Sequence, residues 1–402
     1  MKSNSNLSIL EREYKANIWK SYFFQFFRGL HLFSGVLVPF FTMWGGITFT
    51  QVMLLQAVYT FAIFALEIPT GAIADRFGRK TSLILGGLVT ALGAIIYTSH
   101  ANFLIFILAE ILFALGASLF SGADHALVYD SLKQINKESS SKKVFSKLAS
   151  LNLIAIAIAA PLGSFIAGFT NLRIPMLLTA VPMLISVAIA LSFKEPEIER
   201  KTQRENYLQT IKNGIKYFKE NKEVRILTFD YVPIVALAFF LIWAYQLVLT
   251  KFEVSIALFG LVHTGITIAE IIVLNNFKFL EKTFQGKRNY LFFSSFLIGG
   301  AFLLIGFTNN LYLALLGIAL ASGFGLTRKP LYKSYLNKFI ESEHRATVLS
   351  TVSMIYNLVS VITNLIFGRL AEWNLDLALI IIGILILAFA AFSKLEEEHL
   401  RD

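Results

Sequence analysis

Seven ionisable side chains stand within or at the ends of stretches built from Leu, Ile, Phe, Val and Ala: Arg28, His31, Glu67, Glu110, Asp230, His263 and Glu270. A charged group in hydrocarbon costs roughly 2.5–3.5 kcal/mol on insertion scales, so each is a candidate for chemistry. Arg28 and His31 are three residues apart, which places both on one face of a helix. Arg28 could hold an anionic group of a ligand or pair with Glu110, and His31 could exchange a proton near neutral pH. A carboxyl that meets Arg28 in one state and water in another could carry a proton, which makes Glu110 a coupling candidate. Glu67 is a second one. His263 and Glu270 are seven residues apart, about 10 Å along one helix face, and could act as a pair. Trp243, Tyr245 and Gln246 combine aromatic bodies with polar tips, which suits an amphipathic ligand. Their plainer reading is an interfacial aromatic belt. Asp230 reads as interfacial.

Other chemistries lack their residues. The sequence has no cysteine, no H-E-x-x-H and no G-x-S-x-G, and its six histidines are scattered without ligand spacing. An intramembrane enzyme or a receptor scaffold is therefore a remote reading, and no metal site is expected. No G-x-x-x-x-G-K-S/T loop is present to cradle a nucleotide.

The elements that must position these groups follow from hydropathy. The 402 residues are 56% hydrophobic and 15% charged, against about 25% charged for an ordinary soluble domain. The apolar excess is divided into runs near the roughly 20 residues that a bilayer-crossing helix needs. Twelve spans are predicted at 20–41, 51–72, 81–98, 103–127, 145–168, 174–193, 226–249, 256–275, 289–307, 310–327, 346–368 and 375–392. The polar N-terminus lacks the features of a cleaved signal peptide, so the first span is expected to remain. With the N-terminus in the cytoplasm, 32 of the 36 Lys and Arg fall on the inner side. Only Arg173, Lys251 and Arg369 fall outside, and Arg28 lies within a span. This asymmetry predicts both termini in the cytoplasm. It also accounts for the net charge of +10 without nucleic acid.

The chain then divides into a tail (1–19), six spans (20–193), a linker (194–225), six spans (226–392) and a tail (393–402). Within the linker, Leu208, Ile211, Ile215 and Phe218 recur at helical spacing, which predicts an amphipathic helix on the inner membrane face.

The loop after the second span reads Gly71-Ala72-Ile73-Ala74-Asp75-Arg76-Phe77-Gly78-Arg79-Lys80. It resembles the signature loop G-x-x-x-D-R-x-G-R-K of the major facilitator superfamily, with every defining position filled. Twelve spans, a central linker and inner termini agree with that resemblance, which covers essentially the whole chain. It implies an all-α membrane protein with two pseudo-symmetric six-helix bundles. It also implies secondary active transport by alternating access, without a cofactor and with a proton gradient as energy source. In that family the first, fourth, seventh and tenth helices line the cavity, so Arg28, His31, Glu110, Trp243 and Gln246 become substrate-binding candidates. Glu67, Glu110, His31 and Glu270 are then the proton-coupling candidates. The resemblance makes Gly71, Asp75, Arg76, Gly78, Arg79 and Lys80 a latch. Asp75, expected near a helix N-terminus that favours an anion, would engage the region of Arg345, and Asp124 or Asp130 would pair with Arg79.

A degenerate copy of the loop stands at Leu280–Arg288, where a glycine and basic residues survive but the Asp-Arg pair does not. Ala159-Ala160-Pro161-Leu162-Gly163-Ser164 partly resembles the Gly-Pro motif of antiporters. These features point to a monomer in the inner (plasma) membrane that exports a small amphipathic or anionic organic compound in exchange for protons. Proton-coupled uptake of a metabolite is the alternative.

Overall fold

A computed structural model describes residues 2–196, 207–341 and 344–400. Every regular secondary-structure element among the described residues is a helix. Ten of these helices are long and apolar enough to cross a membrane, and Leu375–Ala391 is a shorter apolar helix. Lipid offers backbone groups no partners, so spanning segments must satisfy their own hydrogen bonds, and helices do this.

By packing, the chain forms two compact units: residues 1–201 with 255–264, and residues 202–254 with 265–402. The first unit begins with α1 (Lys2–Gly29), α2 (Leu37–Pro39) and a π-helical turn at Phe40–Trp44. The first predicted span is therefore interrupted between Gly29 and Leu37. Then come α3 (Phe49–Phe77), α4 (Arg79–Tyr97), α5 (Phe103–Phe120), α6 (Ala123–Gln134), α7 (Ser141–Phe169), α8 (Arg173–Leu178) and α9 (Ala180–Leu191). Phe40, Phe41, Tyr97 and Phe106 form a buried aromatic knot, with rings 5.2–6.1 Å apart.

The second unit holds α10 (Tyr207–Glu220), α11 (Lys222–Phe239) and α12 (Leu241–Lys251). After them come α13 (Phe259–Asn275), α14 (Phe277–Thr283), α15 (Lys287–Phe307), α16 (Leu311–Leu326), α17 (Arg328–Phe339), α18 (Arg345–Trp373) and α19 (Leu375–Ala391). Helix α13 starts in the first unit, where Thr264 donates to the Ala157 carbonyl at 2.8 Å, and ends in the second. The predicted amphipathic helix exists as α10. It does not simply lie on a membrane face. It packs on α18, with Gly214 so close that a Cβ there would lie 2.2 Å from Thr351 Oγ1. Phe218 packs on the unit's apolar core. Side chains 207–211, including Leu208 and Ile211, lie outside the described residues.

The two units repeat one construction that the sequence showed only faintly. Asn102 caps α5 through the amides of Leu104 and Ile105. Asn310 caps α16 through Tyr312 and Leu313. At α4, Gly78 (φ +95°) makes the turn from α3, and the Glu195 carboxylate accepts from the amides of Arg79 and Lys80, each at 2.7 Å. At α15, Gly286 (φ +136°) makes the turn, and Glu397 accepts from the amides of Lys287 and Arg288 at 3.0 and 2.8 Å. In each unit the chain beyond its last span returns to close the N-terminus of its third. Free amides and the helix dipole both favour an anion there.

Candidate functional site

Arg28 lies in the last turn of α1. Its partner is Asp124, not Glu110: Nη1 donates to Asp124 Oδ2 at 2.7 Å. The guanidinium lies 4.3 Å from the centroid of the Phe120 ring and also reaches Gln25 Oε1 at 3.4 Å. His125 Nδ1 sits 2.9 Å from the other Asp124 oxygen, Oδ1. One carboxylate thus bridges a guanidinium and an imidazole.

The backbone explains this placement. The fourth predicted span is broken into α5 and α6 at Ser121 and Gly122. Gly122 has φ +75°, a conformation that costs a side-chain-bearing residue about 1–2 kcal/mol. The turn brings Asp124 into the first turn of α6, where the helix dipole favours its charge. The ion pair is partly buried, with side-chain exposures of 23% and 15%, so its groups remain open to exchange. His31 does not share the helix face with Arg28. It lies beyond the end of α1, in a turn, stacked on Phe33 at 5.4 Å.

Glu110 is buried on α5 and accepts from Gln56 Nε2 at 2.8 Å and from the Tyr97 hydroxyl. Its surroundings are the α3, α4 and α5 seams, apart from Arg28. Glu67 is exposed on α3. His263 and Glu270 are half-buried on α13. Tyr245 and Gln246 are fully buried on α12, where the Gln246 amide donates to the Tyr245 hydroxyl at 3.1 Å, so they form no interfacial belt. The Trp243 indole N–H is buried without a hydrogen-bond partner among the described residues.

In the signature loop, Asp130 takes Arg79 at 2.9 Å, while Asp124 belongs to Arg28. Asp75 is exposed near the end of α3 rather than at the start of α4; the anion at that helix start is Glu195. Arg76 is exposed, with its guanidinium 5.4 Å from the Phe77 ring centroid. A Cβ on Gly71 would meet nothing within 4 Å, so no close approach requires a glycine there. Lys80 contributes its backbone amide to Glu195. Arg345 donates to the carbonyls of Asn337 and Ile340, both at 3.4 Å.

One constellation is absent from the sequence reading. Arg328, fully buried, donates through Nη1 to the Leu291 carbonyl and the hydroxyls of Ser294 and Ser295, and through Nη2 to Asp230 at 3.3 Å. The hydroxyls of Tyr332 and Ser393 also donate to the Asp230 carboxylate. Asp230 is therefore an interior anion and not an interfacial one. Four helices or their ends, α11, α15, α17 and the turn after α19, meet at this network.

Among the described residues, ten helices long and apolar enough to cross a membrane, with exposed Leu, Ile and Phe along them, define a multi-pass membrane protein. Residues 22–274 match the family model of the Major Facilitator Superfamily, and the chain belongs to that family. It is 24% identical over 392 residues to an uncharacterized MFS-type transporter, YxaM, of Bacillus subtilis (strain 168), covering 91% of this chain and 92% of that one. It is 28% identical over 228 residues to Multidrug resistance protein 2 of the same organism, covering 54% and 53%. The fold is similar to the crystal structure of the nucleoside transporter NupG. That match has a TM-score of 0.78 at 13% identity and covers 94% of this chain and 100% of that one. A bacterial homologue of the human lysosomal transporter Spinster, inward-facing and unoccupied, gives a TM-score of 0.73 at 13% identity, over 97% and 98%. Membership implies a lipid bilayer around the chain and a small molecule as its substrate.

Proposed function

We propose that this chain is a proton-coupled exporter of a small amphipathic or anionic organic compound, working by alternating access in the inner (plasma) membrane as a monomer, with both termini cytoplasmic. The observation that carries the reading is the Arg28–Asp124–His125 group at the joint between α5 and α6. Protonating Asp124 removes the charge that holds Arg28. The freed guanidinium and the glycine joint then give the unit two local arrangements that a proton can choose between. His125, on the exposed side of the same carboxylate, is placed to hand the proton on. The inward side is supported by the positive-inside rule. A relative named for multidrug resistance supports export. The lack of a nucleotide-binding loop favours a gradient as energy source, with no cofactor. Glu110, hydrogen-bonded in a dry aromatic setting, is a second proton carrier in this scheme.

The test is retention of fluorescent amphipathic compounds in cells expressing the chain, with and without a proton uncoupler. Export predicts that the uncoupler raises retention, and that Asp124→Asn abolishes this response while substrate exchange in proteoliposomes persists. An uncoupler that lowers retention would establish uptake instead. Full gradient-driven export by Asp124→Asn would remove this carboxylate from coupling.

A further inference from the structure

Arg28 is held by Asp124 and Arg328 by Asp230, so each of these arginines already has a carboxylate partner. The next residue after Arg328 points elsewhere. Lys329 places its Nζ 4.5 Å from the centroid of the Tyr356 ring, which belongs to α18. Tyr356 lies nearly parallel to Tyr231 of α11 at 5.9 Å, with an interplanar angle of 20°. Tyr231 in turn stacks on Tyr332 of α17 at 5.4 Å and 24°. All three rings are buried, and the Tyr332 hydroxyl is fixed on Asp230. The ladder is thus anchored in the Arg328 network and ends under an ammonium. Lys333 follows one turn later on the same exposed side of α17. Neither lysine has an acidic partner among the described residues.

We propose that Lys329 and Lys333, on the platform of Tyr231, Tyr332 and Tyr356, form the site that binds the carboxylate of an organic-anion substrate. Two ammonium groups one helical turn apart, with no acidic partner among the described residues, attract an anion. The ring under Lys329 fixes its direction, which a freely snorkelling lysine lacks. Preformed placement of a charge lowers the ordering cost of binding. The proposal rests on the transporter reading, and it names the substrate class of that activity.

The experiment compares benzoate with its uncharged isostere benzamide, both millimolar, as ligands of the purified full-length chain in detergent, by thermal unfolding followed through Trp fluorescence. Benzoate should raise the melting temperature and benzamide should not. Lys329→Gln should weaken benzoate by about tenfold or more, the loss of one charge-assisted contact. Lys329→Arg should stay within about threefold, since its charge and stacking survive. The unliganded melting temperature of each variant reports folding separately. Equal effects of benzoate and benzamide, no effect of either, or an unchanged affinity in Lys329→Gln overturns the proposal. So does a result in which only phosphatidylglycerol nanodiscs stabilise the protein through Lys329, which would make it a lipid anchor. Proton-driven export that is intact in Lys329→Gln but lost in Asp124→Asn would remove this site and leave the coupling site standing.

Discussion

The closure of α4 by Glu195 can be tested on its own. Its carboxylate accepts two backbone amides at 2.7 Å, one on each oxygen. Hydrogen bonds to a charged group contribute about 1.5–3 kcal/mol each when dry. Glu195 is half-exposed, and water can replace part of what is lost. Glu195→Gln keeps the shape and one acceptor, removes the charge at the helix N-terminus, and turns an NH2 toward an amide that needs an acceptor. The expected loss is about 1–2 kcal/mol, or roughly 5–30-fold in the local opening equilibrium. Hydrogen–deuterium exchange by mass spectrometry should show that acceleration in peptides covering residues 79–82. The peptide covering residues 287–291, closed by Glu397, should be unchanged. Glu397→Gln should give the reverse pattern. Equal acceleration in both peptides would mean general loosening. Unchanged exchange at 79–82 would show that the two hydrogen bonds do not hold the helix start.

Two further outcomes follow from the same structure. Gly78→Ala must force a side chain into φ +95° with its Cβ 2.8 Å from the Glu195 carboxyl carbon, whereas Gly71→Ala enters open space. Thermal unfolding in detergent should show a loss for Gly78→Ala above the roughly 1–2 kcal/mol backbone cost, and for Gly71→Ala a change within about 0.5 kcal/mol. Asp230→Asn breaks a buried pair, for which about 3–5 kcal/mol is typical. The double variant Asp230→Leu with Arg328→Met should be more stable than Asp230→Asn in the same assay, because no uncompensated charge remains.

The spans were legible because lipid enforces them: each needs a run of apolar residues, and the ends collect basic charge. The signature loop was legible because its glycine and charges are fixed at short spacing. Partners across helices were not. Hydropathy records the solvation cost of a residue and not what it meets after folding. The tenth span was read as ending at Thr327 because Arg328 follows, yet the helical path continues to Phe339, since Asp230 and three hydroxyls compensate the arginine. The sequence offers Arg28 either an anionic ligand group or Glu110 as its partner. The turn at Gly122 brings Asp124 to it instead. Asp75 lies three residues before the turn at Gly78, and so at the end of α3 and not at the start of α4. Glu195, just past the sixth span, looked like any loop acid, although Glu397 holds the matching position in the other unit.

The Glu195 clasp also bears on the order of biosynthesis. A nascent chain halted after Pro196 already carries Gly78, the amides of Arg79 and Lys80, the clasping carboxylate, and both members of the Arg28–Asp124 pair. The leading bundle can therefore fasten these contacts while the ribosome is still making the second, which spares its apolar helices from meeting those of the second before their own partners are set.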